Sequence, residues 1–426
     1  MFLSASFNWD SMIPLVVLLG ISVVIPLILS ALKLKFIPVL VVEILCGIII
    51  GNIPFIKELF VVEKVHFNIF VDGIYTIGLA VLLFLSGLDV DFSVLKNQKK
   101  NNHGTLPVFK ISWLLIGLVI LVSFGLSFIF INDFVKDDLT TKVMGITLLT
   151  IMFSSSFASI IIPLIHEDHM AKTTIGKTIC TYSTIAEFIS IISLSILMII
   201  RGIVEDSNPW LLIVVLIILI LVYIVRKFVP TKLYEKMFGG IVHLDVRLVF
   251  LILFVLAIMT QHAGAEFILG TFLAGAIIKA TGIKESAEEK LFSIGYGLFV
   301  PMFYILVGLK VGVSIPFSEF ISPEYLFLIA KVFLALIIAK IPFLLLAKWF
   351  ELPTVISTLF LVTTTIIVGL ACEHFGIFSE QLASAIVVAS SLTCLISPVI
   401  LFLTKHFGYS KHEYDEVVIN PDEVND

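Results

Sequence analysis

A single acidic residue stands in the middle of one of the most apolar stretches of the chain. Residues 181–200 read TYSTIAEFISIISLSILMII, and Glu187 is the one charged residue among them. A carboxylate at bilayer depth costs at least a few kcal/mol, so such residues are rare and usually functional. On a helix, Ser183, Thr184 and Ser190 would share its face. This pattern predicts a site of hard oxygen ligands that suits Na⁺ or K⁺ and can hold a proton instead. A protonated or paired structural glutamate is the alternative.

Two other apolar stretches carry clusters of hydroxyl side chains. One reads MFSSSFASIIIP and includes Ser155 and Ser156, and the other reads LVTTTIIVG and includes Thr364. Hydroxyls and helix breakers can unwind a membrane helix locally, which frees backbone carbonyls to bind an ion. Such hydroxyls can also bond back to their own helix or pack against a neighbour.

Two further charged residues are predicted to lie deep in apolar stretches. Lys340, in IIAKIPFLLLAKWF, could pair with Glu187, cap the carbonyls of a broken helix, or snorkel to the inner surface. Glu43, in VVEILCGIIIG, has no hydroxyl cluster around it. We therefore predict a structural or interface role for Glu43 rather than a transport role.

The composition defines the class of molecule that holds these residues. The 426 residues are 59% hydrophobic and 14% charged, with a mean hydropathy of +1.14. A soluble domain averages about 25% charged residues. Apolar runs of about 20 residues recur where a barrel would alternate, so we predict an all-α integral membrane protein. We find no basic tract, nucleotide-binding Gly-rich loop or nucleophile–base constellation, so we expect no nucleic-acid partner, no cofactor and no enzyme activity.

Hydropathy predicts thirteen transmembrane helices, with the lipid bilayer as their surroundings. The spans lie near 12–31, 36–52, 69–88, 106–131, 143–165, 174–200, 210–225, 244–262, 264–281, 291–313, 324–347, 352–373 and 378–404. With the N-terminus outside, seventeen basic residues fall on the inner side and five on the outer side. Cytoplasmic loops carry the excess of Lys and Arg, so this bias predicts an outer N-terminus and a cytoplasmic C-terminus.

The two hydroxyl clusters fall at equivalent places if the seventh span is a linker. Spans one to six and eight to thirteen then form two six-helix halves, and each cluster lies in the fifth helix of its half. The halves begin on opposite sides of the membrane. The sequence therefore predicts an inverted repeat with crossed, broken helices 5 and 12 and an ion site at the midplane.

Several segments resemble the type-2 family of bacterial monovalent cation:proton antiporters, which includes sodium/proton and potassium/proton antiporters. The resemblance covers nearly all of residues 12–404, and the motifs are specific in their order and spacing. They read FIPVLVVEILCGIIIGN, LAVLLFLSGLDVDFSVL, FSSSFASIIIPLI, FILGTFLAGAIIK, PMFYILVGLKV and QLASAIVVASSLTCLISPVI.

The resemblance implies a homodimer in the bacterial plasma membrane whose core domain moves like an elevator against a dimerisation domain. The dimerisation domain would comprise residues 1–105 and 241–320, the core residues 106–203 and 321–406, the linker helix residues 204–240, and the cytoplasmic tail residues 407–426. A separate cytosolic regulatory subunit is compatible with this plan.

The resemblance also assigns roles to single residues. Members carry two adjacent polar residues in the sixth helix, and the second is the essential proton and cation carrier. Glu187 matches the carrier, whereas Ala186 stands where the family has its polar partner. In members with Asp-Asp, the first Asp is thought to pair with a lysine that Lys340 resembles. A single carboxylate implies electroneutral exchange, and Lys340 could be free, turn to Glu187 or be held by carbonyls.

We therefore expect an antiporter that exchanges Na⁺ or K⁺ for H⁺ and serves pH homeostasis. Its predicted cation and proton site comprises Glu187, Thr184, Ser183, Ser155 and Ser156. Lys340, Ala186 and Thr364 are predicted to support that site. Two other interpretations remain open: an organic-anion symporter in which Lys340 binds the anion, and a sensor that binds a ligand without transport.

Overall fold

The computed structural model describes the apolar segments and the short connections between many of them. The described residues are 12–33, 39–63, 66–88, 108–134, 139–158, 161, 165, 174–204, 244–262, 267–280, 285–348, 350, 352–363 and 377–406. The α-helices among them are α1 (Ile13–Ala31), α2 (Val39–Gly51), α3 (Pro54–Phe60), α4 (Ile69–Leu88), α5 (Val108–Ser127), α6 (Leu139–Ser154), α7 (Thr174–Val204), α8 (Leu244–His262), α9 (Phe267–Ala280), α10 (Glu285–Ile294), α11 (Val300–Ser314), α12 (Phe317–Phe320), α13 (Pro323–Ala339), α14 (Leu352–Leu361) and α15 (Glu380–His406).

These helices establish a multi-pass membrane fold. Every predicted span except the seventh contains a described helix, and the seventh span lies outside the described residues. Among the described residues, five helical segments are long and apolar enough to cross a membrane, or six if the bent pair α2 and α3 forms one span. The count of thirteen therefore stays a prediction.

The described residues also include elements that the hydropathy pattern did not indicate. An antiparallel hairpin of β1 (Val61–Glu63) and β2 (His66–Phe67) lies in a predicted outer loop. A π-helical turn at Gly295–Phe299 joins α10 to α11. A 3₁₀ helix at Ile341–Lys348 follows α13. Pro342 lacks the N–H that would continue an α-helix, which explains the change of helix type there.

Two pairs of helices pack through glycines at very short distance. A Cβ on Gly47 of α2 would collide with the Ile305 carbonyl oxygen, and one on Gly308 of α11 with the Ile44 carbonyl oxygen. In the same way, α4 and α9 meet at Gly87 and Gly275. Small residues let membrane helices approach closely enough for backbone-to-backbone packing. We call these two contacts the glycine seams.

The buried apolar side chains form two clusters. The larger one contains residues from most of the helices, including those at the glycine seams. The smaller one, here called the second apolar cluster, is built from α5, the segment after α6, α7, the 3₁₀ helix and α14. Its buried members are Ile111, Leu115, Ile116, Val119, Ile161, Ile165, Ile175, Ile179, Tyr182, Ile185, Ala186, Phe343, Leu346, Val355, Leu359, Leu361 and Val362.

Candidate functional site

Helix α6 breaks at its run of three serines. The α-helix ends at Ser154, and Ser155, Ser156 and Phe157 are not helical. A helical hydrogen bond is present again between the Ile161 N–H and the Phe157 carbonyl oxygen, at 3.3 Å. The predicted interruption of the fifth span at its serine cluster is therefore present. Such a break leaves carbonyl oxygens on one side and N–H groups on the other without helical partners.

Glu187 lies on α7 with its carboxylate at the N–H side of this break. Its side chain is 5% exposed. The backbone N–H of Ala158 donates to Oε2 at 2.9 Å, and the Ser86 hydroxyl of α4 donates to Oε1 at 2.5 Å. A negative charge is favoured beside free N–H groups at the start of a helical segment. The break therefore provides a site for the carboxylate in an otherwise apolar region.

Lys340 lies at the carbonyl side of the same break. Its side chain is fully buried, and its ammonium donates to the carbonyl oxygens of Ser154 at 2.9 Å and Ser155 at 2.7 Å. A third contact of 3.3 Å joins it to the Tyr182 hydroxyl. Of the alternatives left open by the sequence, capping of the broken helix is the one present. An ion pair with Glu187 is not among its contacts in the described part of the chain, and complete burial rules out snorkelling.

Ala186 turns away from the carboxylate of its neighbour. Consecutive residues of an α-helix are about 100° apart. Ala186 is buried in the second apolar cluster together with Tyr182 and Ile185.

The structure describes two of the three predicted hydroxyl residues outside the serine cluster. The Ser183 hydroxyl donates to the carbonyl oxygens of Ile179 and Cys180 on its own helix, at 2.8 and 3.2 Å. Its predicted role as a cation ligand stays a prediction. Thr184 is half-buried. Thr364 lies outside the described residues.

The two serines at the break differ from each other. The Ser155 hydroxyl bonds to the Met152 carbonyl oxygen of its own helix at 2.8 Å, while its carbonyl oxygen binds Lys340. The Ser156 hydroxyl is buried and has no hydrogen-bond partner among the described residues. Ser156 therefore has oxygen lone pairs that remain available for a cation.

Sequence reasoning missed Ser86. This residue is 1% exposed and lies near the end of α4, 101 positions from the carboxylate that it contacts. The available signal was a hydroxyl within the apolar stretch LAVLLFLSGL, which can mark a contact between helices in a membrane.

A buried carboxylate and a buried ammonium at the two sides of an interrupted membrane helix define a class of protein, the membrane transporters with broken helices. The sequence agrees with this class. Residues 19–404 match the family described as "Sodium/hydrogen exchanger, transmembrane", and the chain belongs to this family. The resemblance to monovalent cation:proton antiporters is thereby confirmed, and the family comprises transporters rather than enzymes.

Two relatives show how far the similarity extends. The chain is 28% identical over 407 residues to "Putative Na(+)/H(+) antiporter YjbQ" of Bacillus subtilis, and this match covers 91% of the chain but 62% of the relative. It is 25% identical over 408 residues to "Probable Na(+)/H(+) antiporter 3" of Methanocaldococcus jannaschii, covering 93% of the chain and 96% of the relative. The chain thus spans about three-fifths of the length of the Bacillus protein.

The fold is also similar to a solved structure. The sodium proton antiporter MjNhaP1 of Methanocaldococcus jannaschii at pH 8 superposes with a TM-score of 0.50 at 16% identity. The similarity covers 92% of this chain and 96% of that chain. The helices therefore form a membrane antiporter fold.

Proposed function

We propose that this protein is a secondary antiporter that exchanges a monovalent cation, Na⁺ or K⁺, for H⁺ across the plasma membrane. The observation that carries the proposal is the buried Glu187 carboxylate, which accepts a hydrogen bond from the Ala158 N–H at a helix break in a sodium/hydrogen exchanger family member. A carboxylate in this position binds either a proton or a cation. Competition between the two ions at one group is the physical basis of exchange.

The ligands proposed for the cation are oxygen atoms around the break. Glu187 would contribute its carboxylate, with Ser156 and Thr184 as further hydroxyl ligands. Ser155 would act through its carbonyl oxygen, which already binds Lys340. Hard oxygen ligands suit Na⁺ and K⁺ alike.

Exchange of one proton for one cation is the stoichiometry that we propose. Ala186 supplies no second carboxylate, and the ammonium of Lys340 is bound to the carbonyl oxygens of Ser154 and Ser155. A lysine that stays bound to carbonyls gains and loses no proton during the cycle. Glu187 would then be the one group that exchanges its proton for a cation.

The packing of the helices supports an inverted repeat. In the proposed halves, α2 and α4 are the second and third spans of one half, and α9 and α11 are those of the other. Each glycine seam joins the second span of one half to the third span of the other. Such a reciprocal pattern is expected when a pseudo-two-fold axis in the membrane plane relates the halves.

The second apolar cluster and the glycine seams lie on different sides of the proposed division into a moving and a fixed part. All members of the second apolar cluster come from the proposed core segments, residues 106–203 and 321–406. The glycine seams lie within the proposed dimerisation segments, residues 1–105 and 241–320. We propose that the core moves like an elevator against a fixed, dimeric part, with the N-terminus outside. The proton gradient would drive cation export and support pH homeostasis.

The contacts of Lys340 argue against the organic-anion symporter. That alternative required a lysine available to an anion, whereas this ammonium is fully buried and donates to Ser154, Ser155 and Tyr182.

The test is ion-by-ion flux in proteoliposomes. Purified protein is reconstituted with an internal pH dye, and Na⁺, K⁺ and Li⁺ are added separately at clamped membrane potentials. We expect cation-driven proton movement that is independent of potential. Glu187→Gln should abolish it, whereas Glu43→Gln, at a second buried carboxylate, should retain it. Exchange retained in folded Glu187→Gln would refute the proposed carrier, and cation binding without flux in the wild type would favour the sensor.

A further inference from the structure

The hydroxyl of Ser86 joins two helices that otherwise have little contact. Helix α4 packs mainly on α9, at a glycine seam, and on α11, whereas α7 packs mainly on α5 and α6. The helix pair α4 and α7 is not among the extensive contacts of the described residues. Even so, Ser86 Oγ donates to Glu187 Oε1 at 2.5 Å, and both side chains are buried.

The Glu187 carboxylate therefore has contacts on both sides of the boundary between the proposed core and the proposed fixed part. Its Oε2 accepts from Ala158 N–H, on the segment that follows α6 and belongs to the same proposed core as α7. Its Oε1 accepts from Ser86, on a helix that belongs to the proposed fixed part. A movement of the core relative to α4 keeps the first bond and breaks the second.

We propose that Ser86 is a positioning residue that holds the ion-free carboxylate of Glu187 against the fixed part and so prevents the empty carrier from crossing. This inference rests on the antiport function proposed above and goes beyond it, because it assigns coupling to a residue outside the ion-binding core.

The strength of the Ser86 bond depends on what occupies Glu187. A hydrogen bond to an ionised carboxylate is roughly twice as strong as one between neutral groups. A proton or a cation on Glu187 removes or shares the negative charge, which weakens the bond to Ser86. The loaded carrier is then released to move, whereas the empty and charged carrier is retained. Strict exchange requires this difference, because an empty carrier that returns freely turns exchange into a leak.

Two other polar groups of the described residues, Lys340 and Tyr304, do not have this role. Lys340 lies on the carbonyl side of the break and is bound to Ser154 and Ser155. Tyr304 of α11 lies within electrostatic range of Glu187 and Glu43, and no hydrogen bond to either is present in the described part of the chain. Ser86, by contrast, lies on the proposed fixed part and donates directly to Glu187.

The experiment measures coupling rather than rate. Wild type, Ser86→Ala and Ser86→Thr are reconstituted, and ²²Na⁺ efflux and proton influx are recorded on the same vesicles with the membrane potential clamped. In Ser86→Ala we expect Na⁺ efflux that is not matched by proton influx to rise about tenfold, the factor that corresponds to loss of one charge-assisted hydrogen bond. Ser86→Thr, which keeps the hydroxyl, should restore the wild-type ratio.

The outcomes separate this inference from the function on which it rests. No exchange by the wild type overturns both. Exchange by the wild type with the same proton-to-sodium ratio in Ser86→Ala overturns the role of Ser86 alone. If Ser86→Ala does not purify as a folded protein, Ser86→Thr is compared with Ser86→Val, which has the same shape without the hydroxyl. Equal coupling in that pair also overturns the inference.

Discussion

The glycine seams and the break after α6 are stabilised by different kinds of contact. At the seams, α2 meets α11 and α4 meets α9 through glycines whose neighbours are carbonyl groups of the facing helix. At the break, Glu187 and Lys340 hold the two sides of an interrupted helix through a few charged hydrogen bonds. The seams depend on close fit along two helices, whereas the break depends on a small number of polar bonds.

The difference indicates which part can move. Close backbone packing tolerates neither an added methyl group nor a sliding of one helix along the other, since the small residues must stay opposite their partners. The Glu187 carboxylate at the break can instead exchange its bonds for bonds to a proton or a cation. A rigid part beside a part with exchangeable bonds is what alternating access around an ion site requires.

After the loss of exchange in Glu187→Gln, the largest effect is expected from loss of the ammonium at the break. Lys340→Met leaves the carbonyl oxygens of Ser154 and Ser155 without their donor, and each unsatisfied group costs about 1–3 kcal/mol. We expect exchange to fall more than about tenfold, the factor that corresponds to 1.4 kcal/mol, together with a lower melting temperature in detergent. Lys331→Met is the control, because that ammonium lies over the Phe130 ring, 4.4 Å from its centroid. Equal loss in both variants would show that the break has no special role.

A smaller effect, on stability alone, is expected at the seams. Gly308→Ala places a methyl group against the Ile44 carbonyl oxygen, and overpacking of this kind costs about 1–3 kcal/mol. Gly20→Ala on α1 is the matched control, since a Cβ there meets nothing within 4 Å. Thermal unfolding of purified protein should show a lower midpoint for Gly308→Ala and an unchanged or higher one for Gly20→Ala. Unchanged melting of Gly308→Ala would contradict rigid packing at the seam.

The smallest effect is a difference in the KM for cation between substitutions of the two serines at the break. Ser156 has a buried hydroxyl without a partner among the described residues, whereas the Ser155 hydroxyl bonds to Met152. If Ser156 binds the cation, Ser156→Ala should raise the KM for cation about five- to tenfold, as expected for one lost interaction of about 1 kcal/mol. Ser155→Ala should leave KM nearly unchanged, because the carbonyl of residue 155 remains. Cation-dependent initial rates measure both, and the opposite ranking would exclude Ser156 as a ligand.

The parts of the fold that follow from hydropathy were predictable from sequence. Long apolar runs gave the spans, and the serine cluster correctly indicated the break, because hydroxyls and breakers act locally on the helix that contains them. The burial of Glu187 followed in the same way, from its position within an apolar run. These features depend on residues close together in the chain.

The contacts between distant segments were not predictable. Ser86 and Glu187 are 101 positions apart, and no periodicity relates them. The three alternatives for Lys340 could be decided only once the break and α13 were seen together. The back-bond of Ser183 was equally unpredictable, because helix spacing gives the face of a residue but not whether its hydroxyl bonds to its own backbone. The hairpin of β1 and β2 was missed because its strands are only three and two residues long.

The most direct test of the central claim, one carboxylate shared by a cation and a proton, is proton release on cation binding. Purified protein in weakly buffered detergent solution is titrated with NaCl or KCl while the pH and the bound cation are recorded. We predict one proton released for each cation bound by the wild type, and neither binding nor release by Glu187→Gln. Cation binding without proton release, or release that persists in folded Glu187→Gln, would contradict the claim.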